Sequence, residues 1–241
     1  MVEVYCTPFY DKFLEEPFKR FFIEEASYRG GELYIISPWI TKISFKRRLV
    51  YHPYLDAGDS VEVLTQLAKL GKRIYVVTRY YDDVLKPYKL YFWYQLYRVY
   101  MKETAPELSE LYNEMTKEIK QTLHRMEALE ELAKIKGIAV KFNSKIHSKI
   151  YVGEKYAIIG SANFTTPALK NLNDECILLI SREEEAYTSI KKYAKKYFHN
   201  ALCEKECLRM LLQKLHSSKL NFSELNFDSL ETIKTFLRSL I

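Results

Sequence analysis

The chain has 241 residues, of which 48% are hydrophobic and 28% charged, and its 37 basic and 31 acidic side chains give a formal net charge of +6. This composition excludes a chain that is disordered throughout, and the length allows one well-buried domain with an appendage. The sequence has no run of about 18 apolar residues, and its first residues lack the pattern of a secretory signal. We therefore expect a cytoplasmic protein without a membrane-spanning helix and with a mild preference for polyanions.

The first part of the chain predicts a strand–helix–strand unit. Residues 32–40 are rich in β-branched and aromatic side chains, as are residues 73–78. Between them, residues 61–70 carry apolar side chains at helical spacing before Gly71. This order predicts two parallel strands joined by a crossover helix.

Two long helical segments are predicted between residues 84 and 136. Pro87 opens the first segment, and Pro106 opens the second, which ends before Gly137. The first is rich in aromatic residues: Tyr91, Phe92, Trp93, Tyr94, Tyr97 and Tyr100. Because these side chains surround the helix, packing in a core or a subunit interface is favoured over a platform for stacked bases.

Four further strands are predicted at residues 137–142, 147–152, 156–159 and 176–180, and helices follow Ser181. The cysteines are Cys6, Cys176, Cys203 and Cys207. They lack the second Cys/His pair of a zinc site, so we expect buried or half-buried thiols, with a local disulfide as the alternative.

The segment at residues 146–165 carries four polar side chains suited to a phosphate. His147 and Lys149 alternate along a predicted strand, which places them about 7 Å apart on one face. A hairpin then returns the chain to Gly160, where Ser161 and Asn163 converge on the same place. The histidine can attack phosphorus or donate a proton, and the other three can bind the phosphate oxygens, so this chemistry requires no metal.

An acidic residue on the next strand completes the candidate site. A nucleophilic imidazole needs the correct tautomer, which a carboxylate on its other nitrogen enforces. Glu175 is the favoured candidate, and Asp174 is the alternative, because neighbours on a strand face opposite ways. The predicted catalytic set is therefore His147, Lys149, Ser161, Asn163 and Glu175.

These residues resemble the motif of the phospholipase D superfamily, His-x-Lys followed by an acidic residue and then Gly-Ser-x-Asn. The resemblance is specific over residues 137–180 and looser over residues 32–40 and 73–78. Glu154 stands where the family usually has Asp, and the hairpin is one residue shorter than usual. The family's acidic residue is regarded as structural, so Glu154 is not included in the catalytic set.

The resemblance implies an α/β fold in which a mixed β-sheet is sandwiched between helices. Residues 1–182 would form the phospholipase D-like catalytic domain, with a helical insertion at about 84–136, and residues 183–241 a helical C-terminal region. The family's chemistry needs two copies of the motif, and this chain has one. Similar single-motif proteins build the site by homodimerisation, so we expect a homodimer in which His147 faces its symmetry mate.

The implied activity is a phosphodiesterase that works through a phosphohistidine, without a metal or another cofactor. One histidine would attack while the other protonates the leaving oxygen, and Lys149, Asn163 and Ser161 would stabilise the charge on the phosphate. Single-motif members of the family resemble endonucleases, so the resemblance implies an endonuclease acting on DNA or RNA, with no membrane partner. The basic balance and one cationic cluster agree with it. That cluster comprises Lys42, Lys46, Arg47 and Arg48. A phospholipase or phosphatidyl transferase and an inactive nucleic-acid-binding subunit are the alternatives.

Overall fold

A computed structural model of the chain describes residues 1–7, 14–100, 106–170, 172–217 and 230–241. These residues form two compact units. The first consists of Met1–Arg79 and Ala128–Leu202, and the second of Tyr80–Glu127 and Cys203–Ile241.

The first unit is built on a seven-stranded mixed sheet. The strands along the chain are β1 (Val2–Cys6), β2 (Glu32–Ile36), β3 (Ser44–Tyr51), β4 (Leu55–Asp59), β5 (Arg73–Thr78), β6 (Ile138–Phe142), β7 (Ile150–Val152), β8 (Tyr156–Gly160) and β9 (Cys176–Ser181). The large sheet has the order β1-β9-β8-β7-β2-β5-β6, whereas β3 and β4 form a separate hairpin. Strands β2, β5 and β6 are parallel, and the other neighbours in the large sheet are antiparallel. The predicted mixed α/β class is confirmed.

The helices along the chain are α1 (Glu15–Ser27), α2 (Ser60–Lys69), α3 (Tyr80–Tyr100), α4 (Pro106–Ala133), α5 (Thr166–Leu169), α6 (Glu185–His199), α7 (Glu204–Ser217) and α8 (Leu230–Ser239). Within the described residues, none of these helices is long and apolar enough to cross a membrane.

The strand–helix–strand unit predicted near the start of the chain is present. β2 and β5 pair in parallel, and α2 forms the crossover between them. α2 begins after Asp59, whose carboxylate accepts hydrogen bonds from the backbone N–H groups of Val61 and Glu62. The β3–β4 hairpin, which precedes α2, was not predicted, because its first strand is rich in charged residues and buries few side chains.

Helices cover both faces of the sheet. Consecutive residues of a strand point to opposite faces, so the neighbours Tyr151 and Val152 on β7 belong to different layers. Tyr151 contacts Phe18 of α1 at 4.8 Å between ring centres. Val152 belongs instead to the buried cluster that includes Tyr187 and Ala194 of α6. α6 was predicted to belong to the C-terminal region, whereas its residues lie in the first compact unit. The predicted boundary at residue 182 stays a prediction.

A buried ion pair holds the β7–β8 turn at one end of the sheet. The carboxylate of Glu25 lies 2.8 Å from the ammonium of Lys72, and both side chains are fully buried. Glu25 also accepts a hydrogen bond from the backbone N–H of Glu154. The Glu154 carboxylate in turn accepts from the N–H of Glu32 and pairs with Lys191. Glu154 is therefore engaged at the end of the sheet opposite the start of β7.

A disulfide joins the first and last strands of the large sheet. Cys6 and Cys176 are register partners in β1 and β9, and their sulfurs are bonded. The expectation of a thiol is wrong for these two cysteines, because the strand pairing that brings them together spans 170 residues of sequence. Cys203 and Cys207 are free thiols.

The described part of the second unit is helical. The prediction that Pro87 opens the helix is wrong, because α3 begins at Tyr80 and contains Pro87 in its interior. A proline inside a helix removes one backbone hydrogen bond but does not have to end the helix. In α4, apolar side chains are buried at helical spacing: Leu108, Met115, Ile119, Leu123 and Met126. The rings of Tyr94 and Tyr112 lie 5.5 Å apart. Trp93 and Tyr97 of α3 are exposed.

Candidate active site

The five predicted site residues lie at one edge of the large sheet. This edge is the one formed by the ends of the strands, and not by an outer strand. β7 runs antiparallel to both β2 and β8, and β8 runs antiparallel to β9. The end of β2, the start of β7, the end of β8 and the start of β9 therefore meet at the same edge. His147 and Lys149 precede β7, Ser161 and Asn163 follow β8, and Glu175 precedes β9.

His147 and Lys149 are in direct contact. The strand predicted from His147 begins three residues later, at Ile150, because the ladder with β2 starts there. The Lys149 ammonium donates a hydrogen bond to the carbonyl oxygen of His147 at 2.8 Å, and its nitrogen lies 3.2 Å from Nδ1 of the imidazole. The His147 side chain is exposed, whereas Lys149 is buried. The arrangement places an accessible imidazole beside a fixed cation.

Burial and neighbouring charges determine the proton affinity of Lys149. Burial lowers the pKa of its ammonium, and the positive charge of Arg79 lowers it further. The carboxylate of Glu175 acts in the opposite direction and raises it. A phosphate bound here would also favour the ammonium, because its negative charge adds to that of Glu175.

Ser161 is held against the backbone of β9. Its hydroxyl accepts a hydrogen bond from the N–H of Cys176 at 2.9 Å and contacts the Cys176 carbonyl oxygen at 3.4 Å. The preceding residue must be glycine, because a Cβ on Gly160 would overlap that same carbonyl oxygen. Ser161 thus helps to fix the shape of the edge beside His147.

Asn163 places a buried amide group at this edge of the sheet. Its side chain is only 8% exposed, and its Oδ1 makes no hydrogen bond within the described residues. A buried amide oxygen without a donor costs free energy unless a ligand or water supplies one. Asn163 therefore keeps an acceptor for which a ligand or a water can supply the donor.

Glu175 is fixed by Thr7, which directly follows β1. Its backbone N–H donates to the hydroxyl of Thr7 at 2.7 Å, and its carbonyl oxygen accepts from the Thr7 N–H at 2.8 Å. The Glu175 side chain is buried, and its charge acts on Lys149, whereas Asp174 is exposed. Within the described part of the chain, Glu175 makes no hydrogen bond to His147. Its assignment as the residue that orients the imidazole stays a prediction.

Two further residues that were not predicted to belong to the site also lie at this edge. Arg79 directly follows β5, and Trp39 follows β2. The Arg79 guanidinium carbon lies 6.0 Å from the centre of the Trp39 ring. Their position after the carboxyl ends of two parallel strands is the signal that could have found them. Within the described ranges, no group of three or more His, Cys, Asp or Glu side chains is placed to hold a metal ion.

Comparison with known proteins gives one family and several similar folds. Residues 40–201 match the family model described as "Cardiolipin synthase, PLD-like domain". No curated protein sequence matches the chain. Among solved structures, NucT from Helicobacter pylori has a TM-score of 0.47 and 14% identity, covering 84% of this chain and 98% of its own.

Two other solved structures are similar to this chain. Nuc from Salmonella typhimurium, a phospholipase D family member, has a TM-score of 0.44 and 14% identity, covering 83% of this chain and 95% of its own. Phosphatidylserine synthase from Haemophilus influenzae Rd KW20 has a TM-score of 0.47 and 12% identity, covering 99% of this chain and 44% of its own. Because the family model matches most of the chain, this protein belongs to the phospholipase D superfamily, in its family of PLD-like domains.

Proposed function

We propose that this protein is an endonuclease that cleaves the phosphodiester bonds of DNA or RNA without a metal ion, in a site shared by two copies of the chain. The observation that carries the proposal is the contact between the exposed His147 and the buried Lys149. A nucleophile held beside a cation can attack a phosphate that the same cation binds. Membership of a phosphodiesterase superfamily supports this chemistry.

The reaction proceeds in two displacements. The neutral imidazole of one His147 forms a bond to phosphorus, and the bond from phosphorus to the leaving oxygen breaks. The protonated His147 of the second chain gives its proton to that oxygen. Water then attacks phosphorus, passes a proton to the second histidine and releases the first. Lys149 and the Asn163 amide stabilise the charge on the non-bridging oxygens, and Ser161 assists.

A second chain is needed because the sequence contains one His-x-Lys pair. The two histidines must hold opposite protonation states, and their mutual repulsion favours that arrangement. In this proposal Glu175 positions the catalytic groups and touches no substrate atom.

The substrate class rests on charge. The net charge of +6 favours a polyanion, and Lys145 is exposed two residues before His147. The cationic cluster near residue 42 contributes less to the binding of a polyanion than its sequence suggests, because two of its side chains are paired with carboxylates. Lys42 pairs with Asp59, and Arg48 pairs with Asp56.

A lipid phosphodiesterase is the second candidate. Trp93 is 52% exposed on α3, and Tyr97 beside it is 39% exposed, which are residue types that suit a membrane surface. The description of the matching family model also names a lipid enzyme.

The test is cleavage in excess EDTA. We expect the purified protein to cut plasmid DNA, single-stranded DNA or RNA under this condition, and H147A to lose at least about a thousandfold in rate. H124A is the matched control, because His124 is exposed on α4 and has no role in the site. A strict requirement for added metal would overturn the mechanism. Cleavage of phosphatidylglycerol vesicles, with none of nucleic acids, would favour the lipid candidate.

A further inference from the structure

Trp39 and Arg79 have no role in the reaction described above, although both lie at the edge that carries it. β2 and β5 are parallel neighbours, with Ile36 opposite Val77. Both strands therefore leave the sheet at the same edge, and Trp39 and Arg79 follow within three residues of their ends. β7, which follows Lys149, pairs with the other side of β2.

The segment that carries Trp39 is fixed to the segment that carries Asn163. The Ser37 hydroxyl donates to the carbonyl oxygen of Trp39 at 2.8 Å and accepts from the N–H of Phe164 at 3.1 Å. Phe164 also forms a bridge with Ile40. Trp39 is thus held in a defined position relative to the phosphate-binding residues.

The same segment is fixed to the end of β5. The carbonyl oxygen of Pro38 accepts from the Thr78 hydroxyl at 3.0 Å and from the backbone N–H of Arg79 at 3.2 Å. These bonds set the two side chains next to each other.

The side chains of this pair have the properties of a nucleotide-binding surface. Trp39 is 39% exposed, and the Arg79 guanidinium is 6.0 Å from its ring centre, within the range of a cation–π contact. Arg79 is also close enough to Lys149 to act on its charge. Two cations held near each other favour an anion between or beside them.

We propose that Arg79 and Trp39 form a subsite for the nucleotide adjoining the phosphate that is cut, in which Arg79 binds its phosphate and Trp39 stacks on its base. This inference rests on the proposed function and deepens it, because it assigns the substrate to single-stranded nucleic acid. A lipid phosphodiester has no planar base to stack on an indole ring, whereas every nucleotide has one.

Tryptophan fluorescence tests the subsite without any turnover. The chain has two tryptophans, so W93F leaves Trp39 as the only one. In H147A/W93F, a short single-stranded thymidine oligonucleotide should quench the fluorescence in a saturable way, and adding R79K should weaken that binding about tenfold. H147A/W39F, in which Trp93 alone reports, is the matched control and should show no saturable quenching. Quenching that is absent, or equal in the control, would overturn the subsite.

Kinetics supply the second test. W39A should lose at least about ten times more kcat/KM on the thymidine oligonucleotide than on an abasic deoxyribose oligonucleotide of the same length, which has the same phosphates and no base to stack on an indole ring. An equal loss on both substrates would overturn the subsite and leave the proposed function standing.

The two proposals can fail separately. If the wild-type protein cuts no phosphodiester, the proposed function fails, and the fluorescence titration still decides whether a nucleotide binds at Trp39. Saturable quenching of Trp39 by phosphatidylglycerol vesicles but not by the oligonucleotide would overturn a nucleic acid as the occupant.

Discussion

Opposing influences act on the charge of Lys149. Burial and the positive charge of Arg79 favour the neutral amine, whereas the carboxylate of Glu175 favours the ammonium that a phosphate needs. Burial is the larger effect, so the pKa of Lys149 lies below the ordinary lysine value. A cation required by the proposed reaction is therefore lost at lower pH than it would be from an exposed lysine.

This shift predicts how phosphate binding depends on pH in H147A, which lacks the imidazole that the proposed reaction uses as acid and base. The affinity of H147A for a short single-stranded oligonucleotide should fall with rising pH below the ordinary range of lysine, because the Lys149 ammonium deprotonates there. In H147A/E175Q this fall should occur at lower pH, since the substitution removes the charge that raises the pKa of Lys149. In H147A/K149R it should occur at higher pH, because a guanidinium stays protonated.

H147A/D174N is the matched control for H147A/E175Q, because Asp174 is exposed, and it should bind the oligonucleotide with the pH dependence of H147A. If H147A/E175Q also keeps the pH dependence of H147A, Glu175 does not act on the charge of Lys149. Titrations of the four proteins with the oligonucleotide at a series of pH values distinguish these results.

The sequence predicts the local part of the site better than the distant part. His147, Lys149, Ser161 and Asn163 lie within one hairpin, so their spacing alone implies that they meet. Glu175 is fixed by Thr7, which is 168 residues away in the sequence. Trp39 and Arg79 approach through two other strands. No local sequence pattern predicts contacts between residues that lie so far apart in the chain.

At the scale of elements, the sequence predicts those strands that consist of a buried run of β-branched residues. β5 has its predicted bounds, and β2, β8 and β9 lie within four residues of theirs, because both faces of each strand are covered. β1 was not predicted, and it exists through its pairing with β9, which the sequence around it does not reveal. Its Val2 and Val4 are exposed, so its apolar residues are not a core pattern.

The junction of β8 and β9 should be intolerant of a side chain at Gly160. In G160A the added Cβ would meet the Cys176 carbonyl oxygen, so the strands must separate at the point where Ser161 is bonded. We expect a loss of about 1–3 kcal/mol in the free energy of unfolding, together with reduced phosphodiesterase activity. Urea denaturation measures the first effect.

Gly30 provides the comparison for that variant. A Cβ at Gly30 would meet no atom within 4 Å, although its φ of +71° disfavours other residues. G30A should therefore cost only about 1 kcal/mol and leave activity in place. If G160A and the wild-type protein unfold at the same urea concentration, the Cys176 carbonyl oxygen does not lie close to Gly160.

At the scale of the whole molecule, the shared site makes a prediction about mixed dimers. A dimer of one wild-type chain and one H147A chain, isolated with two different affinity tags, should be inactive, because each reaction uses both histidines. Two independent sites would instead leave half of the wild-type rate. The mixed dimer with H124A should be fully active, and a wild-type monomer with full activity would contradict the shared site.

The disulfide between Cys6 and Cys176 turns most of the chain into a covalent ring. Trp39 and Arg79 precede the segment Tyr80–Glu127 in that ring, and His147 follows it. A single protease cut in this segment would leave two fragments still linked through sulfur, so that they migrate as one band until a reductant is added. The two halves of the catalytic edge would remain tethered at high local concentration. The activity of nicked protein kept in its oxidised form can therefore show what the intact second unit contributes to catalysis, while the fragments of the first unit stay covalently linked.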